Sequence, residues 1–365
     1  MVAIDDRIKE IEDEIQNTHY NKATQHHVGK LKAKLAQLVE KSLKKVGGGG
    51  GGLGFGLKKT GHATAILVGF PSVGKSTLLN KLTNAESRVA AYEFTTLSVV
   101  PGMMDYEGAK IQILDLPGII CGAATGKGRG REVLSMTRNA DLVLIIVDSL
   151  NLKQVDALLK ELYNIGVRVN SAPPNVSITR TSKGGVNLLS TVKMTRTNLE
   201  DIRAILNIYG IHSADVSVNQ DITQDQFIDV ICKNRVYMPG VIAVNKMDMT
   251  RESPAEIRKK LGYDFIPISA EKGENLDKLR DAIFERLGMI KVYLKKRGQE
   301  ADLNEPLIMK KGVTVGDVCD ALHKDFRRKF KYGKLWGKSA KYDGQTVGVS
   351  HVLRDKDILM IVREN

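Results

Sequence analysis

The chain has 365 residues, 42% of them hydrophobic, and a formal net charge of +13 at pH 7. That length exceeds what one hydrophobic core usually supports, so we expect two to four domains. No apolar stretch approaches the ~18 to 20 residues of a membrane span, and three widely spaced cysteines provide neither a disulfide framework nor a zinc pair. The start is acidic, unlike a targeting peptide. We therefore expect a soluble cytoplasmic protein with no membrane association and no disulfide-linked partner.

The first predicted element is a helical hairpin. Isoleucines recur at helical spacing from Ile4 to Ile15, and leucines recur from Leu31 to Leu38. The second arm carries seven lysines against one glutamate. It is either an ordinary self-packed helix or an RNA-binding arm, and the sequence leaves both open. A run of six glycines follows, and residues 47–59 predict a flexible linker.

A phosphate-binding loop is predicted next. Residues 69–76 read G-F-P-S-V-G-K-S, a complete G-x-x-x-x-G-K-[ST] signature, and they follow a strand-like apolar run from Ala63 to Val68. Glycines let backbone N–H groups approach phosphate oxygens, and the N-terminus of a helix attracts anions. Lys75 can reach the β- and γ-phosphates, and the Ser76 hydroxyl can ligate Mg²⁺. The loop residues predicted to bind the nucleotide are Gly69, Pro71, Ser72, Val73, Gly74, Lys75, Ser76 and Thr77.

Two further motifs predict contacts to Mg²⁺ and the γ-phosphate. In Phe94-Thr95-Thr96-Leu97, the Thr96 hydroxyl can bind Mg²⁺ and its amide can meet the γ-phosphate, which would order the loop. The apolar strand from Ile111 to Leu114 ends in D-L-P-G, where Asp115 can hold Mg²⁺ through water and the Gly118 amide can contact the γ-phosphate. The predicted catalytic residues are Lys75, Thr96 and Gly118, and the predicted metal ligands are Ser76, Thr96 and Asp115.

The base is predicted to be guanine. The motif N-K-M-D at 245–248 follows an apolar run, Val241 to Val244, whose end should reach the nucleotide crevice. Asp248 can accept hydrogen bonds from N1–H and the N2 amino group of guanine, and adenine lacks this pair of donors. A P-loop ATPase or nucleotide kinase is therefore disfavoured. The remaining predicted nucleotide-binding residues are Asn245, Lys246, Asp248, Ser269, Ala270 and Glu271, of which the last three would back the guanine O6.

With these motifs in this order, the sequence resembles the translation-factor class of GTPases and, within its OBG-like branch, the developmentally regulated GTP-binding (DRG) family, closer to the second of its two subtypes. The resemblance covers nearly the whole chain. Its residues are 91–97, 114–120, 126–131 and 234–239, with 21–24 and 31–36 near the start and 330–332 and 335–337 near the end.

Strands and helices alternate from Thr60, as in a doubly wound α/β sheet, but 130 residues separate Asp115 from Asn245, which predicts an insert. The resemblance implies an α/β P-loop GTPase domain with a mixed, mostly parallel sheet, an N-terminal helical hairpin, a small inserted α+β subdomain and a C-terminal β-grasp (TGS) domain. The expected bounds are 1–46 for the hairpin, 47–59 for the linker, 60–169 and 239–290 for the GTPase domain, 170–238 for the insert and 291–365 for the TGS domain.

The resemblance also implies the function. It implies a Mg²⁺-dependent enzyme that hydrolyses GTP to GDP and phosphate and whose nucleotide state regulates association with translating ribosomes. The implied partners are the ribosome with its rRNA, or tRNA, and a zinc-finger regulatory protein of the DRG family. The alternative is a ribosome or RNA adaptor whose GTP turnover is incidental. A net charge of +7 in residues 291–365 favours a polyanionic partner. The densest part of this region is a basic cluster that would also suit a solvated helix face, and its members are Lys324, Arg327, Arg328, Lys329, Lys331 and Lys334.

Several residues leave the mechanism open. Ile119 follows Gly118 where many GTPases place a water-orienting glutamine, so we expect slow intrinsic hydrolysis. Related enzymes bind potassium with an asparagine of the phosphate loop, but this chain has Ser72 there, so a potassium requirement stays open. For Arg129 and Arg131 three roles are open: they supply positive charge for hydrolysis, face ribosomal RNA, or lie in an exposed loop. Cys121 departs from the glutamate that is common in the family.

We interpret the tryptophan and two histidines of the C-terminal region as non-catalytic residues. Trp336, the only tryptophan, is interpreted as a packing anchor rather than a base-stacking platform. His323 and His351 are interpreted as structural or RNA-adjacent rather than catalytic, and Thr314 with Asp317 predicts a capping pair before a helix over residues 318–326.

Overall fold

The computed structural model describes residues 2–19, 21, 24–45, 61–83, 100–115, 137, 139–233 and 235–364. The chain folds into two compact units. The first unit contains the described N-terminal residues and Leu162–Tyr237. The second contains the described parts of Phe55–Cys121, Ser135–Glu161 and Met238–Asn365. The predicted linker at 47–59 lies outside the described residues.

The elements in chain order are α1 (Val2–Asn17), α2 (Gln25–Lys45), β1 (Ala63–Val68), α3 (Lys75–Leu82), β2 (Val100–Tyr106), β3 (Ala109–Asp115), β4 (Leu142–Asp148), α4 (Gln154–Asn164), β5 (Val167–Val169), β6 (Val176–Arg180), β7 (Val186–Ser190), α5 (Leu199–Ile208), β8 (Ala214–Val218), α6 (Gln224–Cys232), β9 (Val236–Met238), β10 (Gly240–Asn245), a 3₁₀ turn (Met247–Met249), α7 (Pro254–Leu261), β11 (Ile266–Pro267), α8 (Leu276–Arg286), β12 (Met289–Leu294), β13 (Leu307–Lys310), α9 (Val315–Leu322), α10 (Lys324–Arg328), β14 (Phe330–Trp336), β15 (Gln345–Val347) and β16 (Asp357–Arg363).

The second unit is built on a six-stranded sheet in the order β11-β10-β4-β1-β3-β2. The edge strand β2 is antiparallel to β3, and the other neighbours are parallel. Strands β1, β4 and β10 are buried along their whole length, which explains why their sequences are continuous apolar runs. The predicted mixed, mostly parallel sheet is confirmed. Because β1, β3, β4 and β10 are parallel, their carboxyl ends share one edge of the sheet.

The C-terminal part of this unit is a five-stranded sheet in the order β13-β12-β16-β14-β15, with α9 packed on one face. The predicted cap is present, because the Thr314 side chain accepts from the Asp317 amide in a capping box. The helix is shorter than predicted. α9 ends at Leu322, His323 is extended, and α10 begins at Lys324, with the His323 imidazole accepting from the Asp325 amide. His323 thus joins the two helices.

In the first unit, a three-stranded sheet in the order β6-β8-β7 packs against α5 and α6. Helix α2 shares this core, since Ala33 is fully buried in the same cluster as Phe227. A Cβ atom at Gly29 would lie only 2.3 Å from the Gln224 Oε1 atom, which shows how closely the helices approach. The Lys32 ammonium lies 2.8 Å from the Asp225 carboxylate. The hairpin is therefore packed against the insert, and Lys32 is already paired.

Two other expectations concern the chain as a whole. Among the helices that the structure describes, none combines the length and hydrophobicity of a membrane span. Cys232 and Cys319 are buried free thiols. Cys121 lies outside the described residues.

Candidate nucleotide site

The predicted phosphate loop connects β1 to α3. Gly74 caps the helix with a φ of 95°, and Ser72 also has a positive φ, 63°. The Lys75 ammonium donates to the carbonyl oxygens of Gly69 and Phe70, each at 3.0 Å. The loop therefore curls around its own lysine and places a positive charge at the start of α3, where the backbone amides also attract anions.

At two positions of the phosphate loop, steric crowding explains why the residue is glycine. A Cβ atom at Gly69 would lie 2.6 Å from the carbonyl oxygen of Ile146 on the neighbouring strand. At Gly74 it would lie 2.4 Å from the Asn245 Nδ2 atom, in a left-handed conformation that disfavours other residues. The second glycine is thus required by its own turn and by its approach to Asn245.

Asn245 connects the two halves of the site. Its Nδ2 atom donates to the Val73 carbonyl at 2.8 Å, and its Oδ1 atom accepts from the Ala270 amide at 2.8 Å. The side chain is buried, with 3% exposure, so both bonds are shielded from water. Asn245 therefore fixes the phosphate loop relative to the loop after β11.

Asp248 lies in the motif that was predicted to bind the base. The Ser269 hydroxyl and, secondarily, the positive charge of Lys272 hold the pKa of the Asp248 carboxyl below its usual range. The Lys272 ammonium is 4.0 Å from the carboxylate. An ionised carboxylate only accepts hydrogen bonds, as recognition of the N1–H and N2 donors of guanine requires. Ser269 is fully buried and Ala270 nearly so, whereas Glu271 is exposed.

Asp115 is the last residue of β3 and pairs in register with Leu67 of β1. It is 7% exposed, and its Oδ1 atom has no hydrogen-bond partner among the described residues. Burial raises the pKa of Asp115, and the nearby Lys75 charge opposes that shift. A buried carboxylate oxygen without a partner, beside a phosphate loop and the exposed Ser76, suits the oxygen-rich shell of Mg²⁺. The residues present therefore fit the predicted ion.

Two predicted ligands, Thr96 and Gly118, lie outside the described residues, and so do Ile119, Arg129 and Arg131. Within the part of the chain that the structure describes, no group of three or more His, Cys, Asp or Glu side chains could hold a metal.

Asp148 is a site residue that was not predicted from the sequence. Its Oδ2 atom pairs with the Lys246 ammonium at 2.7 Å, and its Oδ1 atom accepts from the Leu150 amide at 2.9 Å. The neighbouring Ser149 hydroxyl donates to the Lys246 carbonyl at 3.0 Å. Asp148 ends β4, so the rule that selected Asp115 and Asn245, a polar residue at the carboxyl end of a buried strand, would have found it.

A phosphate loop joined by Asn245 to a second loop, with an ionised aspartate at the base end, defines a GTP-binding protein of the P-loop GTPase class. Residues 64–180 match the family model described as 50S ribosome-binding GTPase, 183–289 match the C-terminal region of that domain, and 290–363 match the TGS domain.

Relatives extend over the full length. An uncharacterized GTP-binding protein of Methanocaldococcus jannaschii is 56% identical over 99% of this chain and 93% of its own length. Developmentally-regulated G-protein 3 of Arabidopsis thaliana is 48% identical over 100% of both chains. Ribosome-interacting GTPase 1 of Saccharomyces cerevisiae is 42% identical over 98% of this chain and 99% of its own. The chain belongs to the developmentally regulated GTP-binding protein family, and the predicted family and fold class are confirmed.

A solved structure that resembles the protein is the YchF GTPase of Schizosaccharomyces pombe. It is 16% identical, covers 84% of this chain and 99% of that one, and has a TM-score of 0.48.

Proposed function

We propose that the protein is a Mg²⁺-dependent GTPase that hydrolyses GTP to GDP and phosphate and uses its nucleotide state to regulate association with translating ribosomes. The observation that carries the hydrolytic part is the buried Oδ1 atom of Asp115, which lies near Lys75 and has no hydrogen-bond partner in the described part of the chain. A structure seldom retains such a group without a ligand to satisfy it, because desolvation of an unpaired carboxylate is unfavourable.

Lys75 would bind the β- and γ-phosphates, and Ser76, Thr96 and Asp115 would hold Mg²⁺, with Asp115 acting through water. Bound Mg²⁺ would neutralise charge that develops on the phosphate oxygens. The amide of Gly118 would contact the γ-phosphate, and Asp248 with Ser269 and Ala270 would select guanine. The roles of Thr96 and Gly118 rest on sequence alone.

The proposed intrinsic rate is slow. Ile119 has no polar atom in its side chain with which to orient an attacking water, so stabilisation would come from Lys75, backbone amides and the metal. Potassium as an additional charge is a further proposal, and Ser72 in place of the asparagine of related enzymes leaves the requirement open.

The translation role is supported by the name of the yeast relative and by the description of the matched GTPase family. A net charge of +13 agrees with a polyanionic partner. Such a role carries with it a cytoplasmic location. The proposed partners are the ribosome with its rRNA, or tRNA, and a zinc-finger regulatory protein of the DRG family.

Hydrolysis is tested by phosphate release from GTP with Mg²⁺ or with EDTA, in sodium and in potassium buffers. We expect Lys75→Ala and Asp115→Asn to lose the Mg²⁺-dependent activity. Their matched controls, Lys81→Ala on the same helix and Asp105→Asn on β2, remove exposed charges and should retain it. Equal phosphate release by Asp115→Asn and the wild type would refute the role of Asp115, and displacement of bound GTP by excess ATP would refute guanine selection.

Nucleotide control is tested by cosedimentation with ribosomes in GTP, in GDP and with Lys75→Ala. The proposal expects binding to differ between the GTP and GDP samples. Equal binding in all three would favour the alternative, an adaptor whose GTP turnover is incidental.

A further inference from the structure

One face of the C-terminal sheet carries aromatic and apolar side chains outside its core. Side chains alternate along a strand, and Val292, Leu335 and Leu359 point into the core under α9. The residues between them therefore point to the opposite face. That outward face consists of Tyr293 from β12, Ile358, Met360 and Val362 from β16, and Tyr332, Lys334 and Trp336 from β14.

The strand register places the aromatic residues of this face side by side. Ile358 of the central strand is level with Tyr293 on one neighbour and Trp336 on the other. Two residues further along β16, Met360 is level with Lys334, and two residues beyond it Val362 is level with Tyr332. The three aromatic rings thus border a strip of aliphatic side chains.

These side chains are partly buried, and among the described residues none joins the cluster under α9 or the cluster around Leu144 of the six-stranded sheet. The other end of the same face differs. Met289 and Ile308, from the edge of the sheet at β12 and β13, are buried in the core of the six-stranded sheet. The outward face is therefore covered at that end, whereas the side chains around Trp336 are partly exposed.

The charge on the outward face is positive. Lys334 lies on it, and the Lys295 ammonium, just after β12, is 4.8 Å from the centre of the Trp336 ring. No carboxylate occupies an outward strand position among the described residues. Asp357 is turned inward and accepts from Ser339 and Arg354, and Glu364 follows the end of β16.

The helix side of the same domain is different, because two of its basic residues are paired. Arg327 contacts Asp320, and the Arg328 guanidinium is 2.9 Å from Asp325. The basic cluster that the sequence pointed to is thus partly neutralised on α10. On the sheet, Lys334 and Lys295 lie next to the aromatic rings.

We propose that the outward face binds single-stranded RNA, with bases stacked on Trp336 and Tyr332 and phosphates close to Lys334 and Lys295. Aromatic side chains on an open sheet stack unpaired bases, and lysines beside them track the backbone. Lys295 covers part of the Trp336 ring in the structure, and its flexible stem allows the ammonium to move to a phosphate. Trp336 is then a stacking platform, contrary to the interpretation from sequence. The inference deepens the proposed ribosome association and rests on it for the source of the RNA.

Trp336 also supplies the assay, since it is the only tryptophan in the chain. The full-length protein is titrated with a single-stranded RNA of about ten nucleotides while its tryptophan fluorescence is recorded. We expect saturable quenching, and no quenching by a duplex of the same length because its bases are already stacked. Added salt should weaken binding.

Variants locate the contact. Tyr332→Leu and Lys334→Ala should each weaken binding about tenfold, equivalent to ~1.4 kcal/mol. The matched controls are Tyr342→Leu, an exposed tyrosine outside the face, and Lys324→Ala on α10; both should bind as the wild type does. With a dye-labelled RNA and anisotropy detection, Trp336→Leu should lose affinity and Trp336→Phe should retain most of it. Unchanged GTP binding by every variant would show that the fold is intact.

Three results would overturn the inference: no quenching by any single-stranded RNA, equal losses in Lys334→Ala and Lys324→Ala, or quenching by an acidic amphipathic peptide but not by RNA. The last would assign the face to a protein partner. The proposed function fails separately, because nucleotide-independent ribosome binding would reject the switch and leave quenching by RNA unchanged.

Discussion

Two buried aspartates, one in each unit, show opposite uses of the same side chain. Asp115 and Asp229 are exposed to a similar small extent, 7% and 6%. Both oxygens of Asp229 are bonded, to Arg168 at 2.6 and 2.8 Å, and one of them also to Arg235 at 2.8 Å. Asp115 has an oxygen with no partner among the described residues.

The difference distinguishes polar groups that stabilise the fold from polar groups that are available to bind a ligand. The Asp229 cluster, with Arg168, Arg235 and Tyr237, lies where β5 and β9, the strands that lead into and out of the insert, pair with each other. Burial raises the pKa of Tyr237 to about 12, so its hydroxyl stays protonated. Both carboxylate oxygens of Asp229 are satisfied by the protein, whereas the Oδ1 atom of Asp115 finds no partner in the part of the chain that the structure describes.

The largest effect is expected from Asp229→Asn. Two arginines would be left buried without their counter-charge, so the free energy of unfolding of the first unit should fall by about 3–5 kcal/mol. Urea denaturation measures the loss. Asp225→Asn on the same helix is the matched control. Its partner Lys32 is about one-third exposed, and the expected loss is below ~1 kcal/mol. Equal losses would contradict the structural role of the Asp229 cluster.

Asp248→Asn should change ligand choice rather than stability. An amide can no longer accept from both guanine donors, so GTP affinity should fall about 100-fold, or ~2.7 kcal/mol. Xanthosine triphosphate has a carbonyl in place of the N2 amino group and should gain affinity, because the new amide can donate to it. Calorimetry with both nucleotides measures the change, and a parallel loss for both would argue that Asp248 does not contact the base.

Asn245→Ala tests whether a side chain of the nucleotide site also stabilises the folded protein. The Val73 carbonyl and the Ala270 amide would both lose a buried partner, so the free energy of unfolding without nucleotide should fall by about 2 kcal/mol. Asn80→Ala, at an exposed position on α3, should change it little. An unchanged unfolding curve for Asn245→Ala would show that the two hydrogen bonds of the Asn245 side chain contribute little to stability.

The smallest effect has the opposite sign. In Asp115→Asn the unpaired buried charge is removed, so without Mg²⁺ and nucleotide the protein should become more stable by about 1 kcal/mol, or roughly 1–3 °C in melting temperature. The sign follows from the raised pKa, which shows that the folded state disfavours the ionised carboxyl. The exposed Asp105→Asn should have no effect. A clear loss of stability in Asp115→Asn would mean that the carboxylate is satisfied within the protein.

Much of the second unit was predictable because local patterns suffice there. β1 begins and ends at the predicted residues, since a central parallel strand buried on both faces is a continuous apolar run. The phosphate loop, Asn245 and Asp248 were found because each follows such a strand, and Ser269 was found after the short edge strand β11. Asp148 was overlooked although it follows β4 in the same way.

Other features depend on residues far apart in sequence. The packing of α2 on the insert, the Asp229 cluster and the outward position of Trp336 each require segments that the amino-acid pattern does not connect. Trp336 illustrates this best, because an isolated tryptophan in a strand is equally compatible with either face until the register of β14 with β16 is known.

The sequence by itself determined the nucleotide class, the order of strands and helices and the residues at the strand ends, because these follow from local periodicity and short motifs with a fixed chemistry. Only the tertiary structure decided which buried carboxylate is satisfied, which lysines are already paired and which face of the C-terminal sheet is open. Those properties depend on burial and on partners brought together by folding, and neither can be read from neighbours along the chain.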